Sequence, residues 1–379
     1  MQLPGIHLDR VRYLGSAHPP GIHPWAKDLQ LKCLRADAVV RKAHQIAQQE
    51  FIPDLIIGHP GWGELLGIKD VFPDVPVLHQ LEFVYQLNGA DTGFDSEFAQ
   101  AASESQNQWR SKTKLRLRRA PQLLALHDLD HAMAPTQWQA STAGAIFTGR
   151  ISVIHEGIDT QRIRPNPSAE IHLEKAGLTF RPGDEVVSYV ARSLEPYRGF
   201  HVFMRMLPLL QARKPHCHAV IVGDDGVSYG AAPSNGSSWR KVLLDEMADQ
   251  LDLSRIHFVG RIPHPVLHSL FQVSACHVYL TYPFVLSWSL LEAMSCGAVV
   301  IASATPPVQE VICDGKNGLL VDFFDRQALA DRIAAVLTSP TDYEPLAHAA
   351  RKTVVDNYDL KNICLPRQLH LIEQLTSNR

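Results

Sequence analysis

The sequence lacks the features that mark membrane-spanning, disulfide-rich and nucleic-acid-binding proteins. No stretch of the 379 residues approaches the roughly 18 consecutive apolar residues that a transmembrane helix requires. The six cysteines are scattered and form no Cys-x-x-Cys pair, which favours core or incidental residues in a reducing cytoplasm over a disulfide framework. The net charge of −3 gives no electrostatic reason to expect nucleic acid as a partner.

The opening of the sequence is poor in valine, isoleucine and leucine. Proline and glycine follow Met1 almost at once, at Pro4-Gly5, and residues 18–21 are His-Pro-Pro-Gly. Residues 6–14 alternate loosely enough for a strand, but no apolar strand with a following amphipathic helix precedes Leu29. The start has no signal-peptide pattern, and we expect a cytoplasmic protein.

The second half of the sequence contains a regular alternation of strands and helices. Apolar runs rich in β-branched residues alternate with helical stretches, which predicts a doubly wound parallel sheet. With 379 residues, 45% of them hydrophobic, the chain is long enough for two domains with full cores. The predicted strands are 186–191, 219–222, 256–259, 276–282, 298–302 and 319–321.

The stretch from Tyr279 to Glu292 is the most informative part of that half. A buried strand ends at Pro283, which lacks an N–H for a ladder, and Ser287 or Ser289 can cap the helix that follows. In an open α/β sheet ligands bind at the carboxyl ends of strands, and a helix N-terminus there attracts an anion. Glu292 lies inside that helix, near enough to accept hydrogen bonds from hydroxyl groups of the same ligand.

Two loops of the first half also follow predicted strands. Residues 55–57 precede His59 and a turn at Gly61. This glycine-containing loop could let a ligand approach the backbone closely, or it could be a tight turn into a helix, and the sequence favours the two interpretations about equally. Residues 75–81 run into Glu82, a carboxylate suited to acid–base work or, alternatively, a solvated loop residue.

Six basic residues with two interleaved leucines follow between positions 110 and 119: Arg110, Lys112, Lys114, Arg116, Arg118 and Arg119. On a helix these charges spread round much of the wheel, so a solvated helix is the default expectation. Contact with an anionic membrane surface, at the inner face of the membrane, or with a phosphate-bearing acceptor is the alternative.

Five segments in the same order resemble the retaining glycosyltransferases of family 4, which have the GT-B fold. The resemblance runs from about Asp54 to the C-terminus and implies an α/β protein with two Rossmann-like domains facing a cleft. We expect an acceptor-side domain over 1–155, a nucleotide-sugar domain over 156–355, and a helix in 356–379 that packs back toward the first domain. By the family pattern, the first βα unit of the N-terminal domain is missing. The segments are Glu156–Asp159, Ala191–Phe200, His257–Ile262, Leu290–Met294 and Pro307–Val321.

The resemblance also assigns roles to individual residues. Arg192 and Arg198 bracket a loop at the end of a strand, so both guanidinium groups could reach the donor diphosphate and assist its departure. Glu292 matches the glutamate that binds the ribose hydroxyls. Because arginines and a helix end meet the phosphate charge, we expect neither a metal ion nor a cofactor beyond the nucleotide-sugar co-substrate. The other assignments are Gly260, Arg261, Ile262, Phe284, Ser287 and Glu310 to the donor, and His59, Gly61 and Glu82 to the acceptor side, with Glu82 also a catalytic candidate.

Two positions depart from the family pattern. The family carries a second glutamate eight residues before the one at Glu292, where this chain has Phe284. An aromatic ring cannot accept hydrogen bonds from sugar hydroxyls, so the identity of the transferred sugar is expected to differ. Glu82 stands where family members usually have a histidine, so acceptor-side chemistry is expected to differ as well.

These patterns predict a metal-independent glycosyltransferase that moves a sugar from a nucleotide-sugar to a glycan or lipid-linked acceptor with retention of configuration. Two alternatives stay open at this point. A nucleotide-sugar epimerase or hydrolase would use the same donor site without a second sugar. A non-catalytic GT-B subunit that scaffolds a partner is favoured by Phe284 and the short N-terminus, and opposed by Arg192, Arg198 and Glu292.

Overall fold

A computed structural model of the chain describes residues 21–98 and 108–377, which form two compact units. The first unit runs to Ile154 and includes the chain from Arg367 onward, and the second runs from His155 to Pro366. The strand expected at residues 6–14 and the question of a missing first βα unit fall outside the described residues. The second unit extends past the predicted limit of 355 because a helix over Pro340–Tyr358 packs its Ala350 and Val354 into that unit's core.

The first unit is built on a four-stranded parallel sheet in the order β1-β2-β3-β4. The predicted runs 55–57 and 75–81 form the first two strands. Buried residues of the sheet and its flanking segments pack into a cluster that includes Leu81, Leu126 and Ala132. Thr136 caps the helix after β3 by accepting from the Gln139 N–H. The strands are Ile56–Gly58 (β1), Val77–Gln80 (β2), His131–Ala134 (β3) and Ile151–Val153 (β4).

Helices flank this sheet. After the turn at Gly61, a helix forms only over the four residues Ile68–Val71, since Gly67 takes a left-handed conformation at φ +79° just before it. Within the described residues, the helices of the first unit are Lys27–Ala47 (α1), Ile68–Val71 (α2), Gln108–His127 (α3) and Gln137–Ser141 (α4). Leu365–Ser377 (α12) also packs on the first unit, where Leu371 joins a cluster with Leu78 and Met133.

The second unit contains a six-stranded parallel sheet in the order β12-β11-β10-β7-β8-β9. Counted from β7 as the first strand, this is the doubly wound order 3-2-1-4-5-6, which reverses between β7 and β10. Its central strands are fully buried on both faces, which matches their continuous apolar sequences. The strands are Val186–Ser193 (β7), His218–Asp224 (β8), Ile256–Gly260 (β9), Cys276–Tyr279 (β10), Val299–Ser303 (β11) and Leu319–Val321 (β12).

Helices alternate with these strands as the sequence predicts. Pro306–Gln309 (α9) is a short turn of helix. The helix expected within residues 356–379 begins as a π-helical turn, Leu360–Cys364, before α12. The remaining helices are Phe200–Arg213 (α5), Trp239–Glu246 (α6), His264–Val273 (α7), Trp288–Ser295 (α8), Arg326–Thr338 (α10) and Pro340–Tyr358 (α11).

Two features of the second unit differ from the sequence prediction. An antiparallel hairpin, Ile171–Leu173 (β5) with Leu178–Phe180 (β6), precedes the parallel sheet. Strand β10 ends at Tyr279 rather than Tyr282, because the chain turns after Tyr279 so that Thr281 N–H donates to Ser303 Oγ (3.1 Å).

No helix among residues 21–98 and 108–377 is both long and apolar enough to cross a membrane.

Candidate functional site

The reversal of strand order in the second unit places two loops side by side. One follows β7, which carries Arg192 near its end, and this loop contains Arg198. The other follows β10 and leads to α8. The β7 and β10 strands pair directly, with Val187 opposite Cys276. A crevice outside the carboxyl ends of such strands is where doubly wound sheets bind ligands.

Arg198 joins these two loops. Its Nη1 donates to Thr281 Oγ1 (2.9 Å) and to the Val285 carbonyl (2.9 Å), both in the loop after β10. The residue is only 7% exposed, and its guanidinium lies over the Tyr229 ring, 5.3 Å from the centroid. No hydrogen bond to a described residue occupies Nη2, so that edge of the guanidinium is free to bind an anion.

Arg192 differs from Arg198 in being exposed. It projects from the end of β7, and within the described part of the chain its side chain has no hydrogen bond or ion pair. Its charge is therefore solvated and available to a ligand that enters the crevice.

Glu195 lies between the two arginines and is fully buried. Its carboxylate accepts from three successive backbone N–H groups, those of Ser228 (3.0 Å), Tyr229 (3.2 Å) and Gly230 (2.8 Å). These bonds fix the loop after β8 and with it the Tyr229 ring beside Arg198. The sequence gives no signal for this role, because the partners lie more than thirty residues along the chain.

Phe284 is 3% exposed and belongs to an aromatic group at the same place. Its ring meets Tyr197 edge-on at 5.4 Å and Tyr229 at 4.9 Å. Tyr197 also packs against Tyr282 at 4.8 Å. The side chain at the position of the family's second glutamate therefore packs between tyrosines, and its expected contact with a donor sugar stays a prediction.

Helix α8 begins at the crevice, with Ser287 as its cap. The Ser287 Oγ accepts from the Ser289 N–H, whereas the Ser287 N–H donates to the Tyr279 hydroxyl (2.7 Å). That N–H is thus not free for a phosphate. The predicted contribution of the helix end to phosphate binding must come from its other N–H groups.

Glu292 lies in the second turn of α8 and is 7% exposed. Its Oε1 lies 3.7 Å from His268 Nε2 and 3.9 Å from His264 Nδ1, beyond hydrogen-bonding distance. The carboxylate oxygen is therefore held close to two imidazole groups of α7 without being bonded to either.

Residues 260–262, which the family pattern assigns to the donor, lie at the end of β9. Gly260 has φ +66° and a Cβ there would meet nothing within 4 Å. Arg261 is exposed and forms an ion pair with Asp224 (2.5 Å), and Ile262 lines a cavity of about 410 Å³ beside the β5–β6 hairpin. Glu310 is an exposed residue at the end of α9.

In the first unit, the loops after β1 and β2 bring His59 and Glu82 together, with His59 Nε2 3.8 Å from Glu82 Oε2. The His59 Nδ1 accepts from the Gly61 N–H (2.9 Å), so a neutral imidazole carries its proton on Nε2, toward Glu82. Burial, with the charge of Lys32 nearby, lowers the pKa of His59 to about 4. His59 is therefore neutral at pH 7.

Two family models match nearly the whole chain. A "Glycosyl transferase family 4 group" model matches residues 1–163, and the "Glycosyl transferases group 1" model matches residues 171–353. The chain belongs to the family 4, group 1 glycosyltransferases. The segments that carry the resemblance in the sequence lie mostly within the second match.

Curated relatives of this glycosyltransferase family member are similar over part of their length. A GDP-mannose-dependent alpha-(1-6)-phosphatidylinositol monomannoside mannosyltransferase of Mycolicibacterium smegmatis is 30% identical over 67% of this chain and 64% of its own. A D-inositol 3-phosphate glycosyltransferase of Corynebacterium urealyticum is 28% identical over 53% of this chain and 47% of its own. The chain thus spans about half to under two thirds of the length of these relatives.

Solved structures show the fold. Sucrose-phosphate synthase from Thermosynechococcus elongatus superposes with a TM-score of 0.68 at 21% identity, covering 93% of this chain and 80% of that one. HepE from Anabaena, in complex with UDP, superposes with a TM-score of 0.65 at 19% identity, covering 94% and 84%. This member of the glycosyltransferase family therefore has the GT-B fold, as its sequence predicts.

Proposed function

We propose that this protein is a retaining glycosyltransferase that binds a nucleotide-sugar in its second unit. The observation that carries the proposal is that Arg192 at the end of β7, Arg198 in the loop after it and Glu292 in α8 belong to the elements where the strand order reverses. A diphosphate needs cationic donors, and a ribose needs a hydrogen-bond acceptor. The crevice supplies both from residues that the family pattern assigns to those tasks.

The two arginines would stabilise the departing diphosphate in different ways. Arg198 is held in place by Thr281 and Val285, so its free edge is preorganised for the phosphate on which charge develops as the glycosidic bond breaks. Arg192 is exposed and adds charge without a fixed geometry. This arrangement supports departure of the diphosphate without a metal ion or a further cofactor.

The acceptor side is proposed in the first unit, at His59, Gly61 and Glu82. Since His59 is neutral, it can donate one hydrogen bond from Nε2 to an acceptor hydroxyl or to Glu82. Glu82 is half-exposed and can accept from an acceptor hydroxyl. We infer a glycan or lipid-linked acceptor, because the curated relatives named above act on inositol-containing acceptors and one of those is a phosphatidylinositol.

Helix α3 supports contact of the protein with an anionic membrane surface, where a lipid-linked acceptor would lie. It carries the six basic residues of the sequence motif, and Trp109 and Leu124 near its two ends are 58% and 61% exposed. Exposed apolar groups beside cations suit a lipid headgroup layer. The fraction of protein that sediments with phosphatidylglycerol vesicles should fall when Lys112, Lys114 and Arg116 are changed to glutamine. Equal binding of the unaltered chain to phosphatidylglycerol and phosphatidylcholine vesicles would refute this contact.

Turnover of a nucleotide-sugar panel tests the enzyme proposal. The purified chain is incubated with UDP-, GDP-, ADP- and CDP-sugars, with and without an extract of polar lipids, and release of the nucleoside diphosphate is measured. We expect one donor class to turn over faster with acceptor. Arg198→Ala should abolish that turnover, whereas the surface variant Arg213→Ala should retain it.

The same assay separates the alternatives. Release at the same rate without acceptor would indicate a hydrolase, and a changed sugar without release would indicate an epimerase. The buried Phe284 in place of a family glutamate favours a non-catalytic GT-B subunit as the second candidate. For that candidate no donor in the panel would turn over.

A further inference from the structure

A cluster of potential metal ligands lies between helices α7 and α8. His264 and His268 are four residues apart on α7, and Glu292 faces them from α8. Each of the three residues offers one ligand atom, and these atoms all lie within 4.8 Å of one another. Two histidines at this spacing present their imidazoles on one helix face, and two histidines with one glutamate form a known ligand set for zinc.

A second observation points to a ligand at this cluster. His268 is 8% exposed, and its Nε2 is buried without a hydrogen-bond partner in the described part of the chain. A buried polar atom without a partner destabilises the fold unless something bound there satisfies it. Because Glu292 Oε1 is 3.7 Å away, the unsatisfied nitrogen points toward a carboxylate that does not reach it.

The separations suit an ion between the three groups. Ligand atoms around a tetrahedral zinc ion with bonds of roughly 2.0–2.1 Å are about 3.3 Å apart. The distances of 3.7 and 3.9 Å from Glu292 Oε1 to the two imidazoles are a few tenths of an ångström longer. The His264 side chain is 69% exposed and can move to close that gap, and it leaves the site open to solvent on one side.

We propose that His264, His268 and Glu292 form a binding site for a zinc-class transition-metal ion, and that the ion and the nucleotide compete for Glu292. Metal binding itself stands on this cluster alone, whereas the competition rests on the proposed function, in which Glu292 binds the ribose. A metal at this place is thus an inhibitor of donor binding. Imidazole and carboxylate together favour Zn²⁺, Ni²⁺ or Cu²⁺ over Mg²⁺ or Ca²⁺.

Cobalt titration tests the site. The full chain, freed of metal with a chelator, is titrated with CoCl₂ while the d–d absorption of bound Co²⁺ is followed, and ZnCl₂ is then added to displace it. We expect one equivalent of Co²⁺ to bind, and His268→Gln and His264→Gln each to weaken binding by about 10-fold or more, since each removes one of three ligands. His264 is exposed, so its variant keeps the test valid if His268→Gln does not fold.

His257→Gln is the matched control. His218 Nδ1 lies 2.9 Å from His257 Nε2, so this is another close histidine pair in the same unit. Among the described residues, no third ligand completes a metal-binding group with this pair. This variant should bind Co²⁺ as the unaltered chain does. Equal Co²⁺ affinity in the unaltered chain, His264→Gln and His268→Gln, or no binding at all, would overturn the proposal.

Competition with uridine and guanosine, which carry the ribose but no diphosphate to chelate the metal, separates the two proposals. If both hold, a saturating amount of the nucleoside that the chain binds should lower the Co²⁺ affinity about 10-fold or more, since both need Glu292. Co²⁺ binding that depends on His268 but ignores both nucleosides would support the metal site and count against the proposed role of Glu292.

Discussion

Arg198 shows how a single residue can serve both the fold and the ligand. Its Nη1 satisfies Thr281 and the Val285 carbonyl, its backbone carbonyl accepts from the Tyr189 hydroxyl (2.6 Å), and its free edge remains for an anion. Arg192 has only the second role, because it is exposed and makes no such bonds with described residues. The pair therefore allows donor binding to be separated from stability.

Replacing either arginine should weaken nucleotide binding. Arg192→Ala and Arg198→Ala should each lose about 1.5–3 kcal/mol of interaction with the donor diphosphate, the range for a hydrogen bond to a charged group. Arg198→Lys should lose less than Arg198→Ala, since it keeps the charge. Calorimetry measures the affinities, and thermal unfolding should show a loss of stability for Arg198→Ala but not for Arg192→Ala. Unchanged affinity in both alanine variants would refute the phosphate site.

His277 is the buried histidine whose charge state matters most for stability. It lies in β10 with Nδ1 3.1 Å from Ser188 Oγ, and burial lowers its pKa to about 3. The unfolded chain has a histidine pKa near 6.5, so on acidification it takes up the proton first. Stability that is present above pH 6.5 is therefore lost as the pH falls toward 3.

The loss should be measurable between pH 6 and pH 5. Over that interval His277 should lower the free energy of unfolding by about 1 kcal/mol, since the unfolded state binds most of one extra proton. Urea unfolding of the chain and of His277→Leu at both pH values measures it. His59 and His79 affect both proteins alike, so the difference isolates His277. An equal decrease in the two proteins would show that His277 does not stay neutral.

At the scale of the element, one carboxylate binds three backbone groups of the loop after β8. Glu195 accepts from the N–H groups of Ser228, Tyr229 and Gly230, and the loop is also bonded to β7 through Ser193 Oγ, 2.8 Å from Ser228 Oγ. Glutamine keeps the shape, but it replaces one acceptor oxygen with a donor that faces these N–H groups.

Glu195→Gln should therefore destabilise the second unit by about 1.5–3 kcal/mol, the cost of losing hydrogen bonds to a buried charge. Hydrogen exchange of the amides of residues 228–230 should become faster. The control is Glu174→Gln, an exposed residue in the turn between β5 and β6, which should change neither quantity. Unaltered exchange in Glu195→Gln would mean that other contacts hold the loop.

The junction between the Arg198 turn and helix α5 requires glycine. Gly199 has φ +69°, and a Cβ there would lie 2.4 Å from Leu280 Cβ. Gly315 has nearly the same φ, +70°, but a Cβ there would meet nothing within 4 Å. The two positions therefore separate backbone strain from close packing.

Gly315→Ala should cost about 1 kcal/mol for the left-handed conformation alone, and Gly199→Ala about 3 kcal/mol, because overpacking against Leu280 adds to it. Denaturant unfolding of the two variants gives the comparison. Equal costs would contradict the close approach of the turn to Leu280.

Across the whole molecule, the parts predictable from sequence are those with local signals. The buried parallel strands of the second unit are apolar runs bounded by glycine and proline, so their order along the chain could be predicted. The β5–β6 hairpin could not, because each strand has three residues and no distinctive turn dipeptide. Helix α11 has no clear sequence signal, because Pro340 and Pro345 interrupt its pattern. Pro340 is the first residue of the helix, where proline is tolerated, whereas Pro345 lies inside it.

The same distinction applies to the site. Arg192, Arg198 and Glu292 could be proposed from motifs, since each lies in a recognisable segment. The bonds from Glu195 to residues 228–230, and the approach of His268 to Glu292, join segments that are distant in sequence. Such contacts arise from the doubly wound topology rather than from any local pattern, so they become visible only in the folded chain.

The central claim is that the second unit binds a nucleoside diphosphate through Glu292 and the two arginines, and calorimetric titration with a nucleotide panel tests it most directly. We predict that one of UDP, GDP, ADP and CDP binds with one equivalent, and that Glu292→Gln weakens that affinity about 10-fold or more, because a charged acceptor for the ribose hydroxyls is lost. The surface variant Glu246→Gln should bind as the unaltered chain does. The absence of binding to every nucleotide, or equal affinity in Glu292→Gln, would contradict the account.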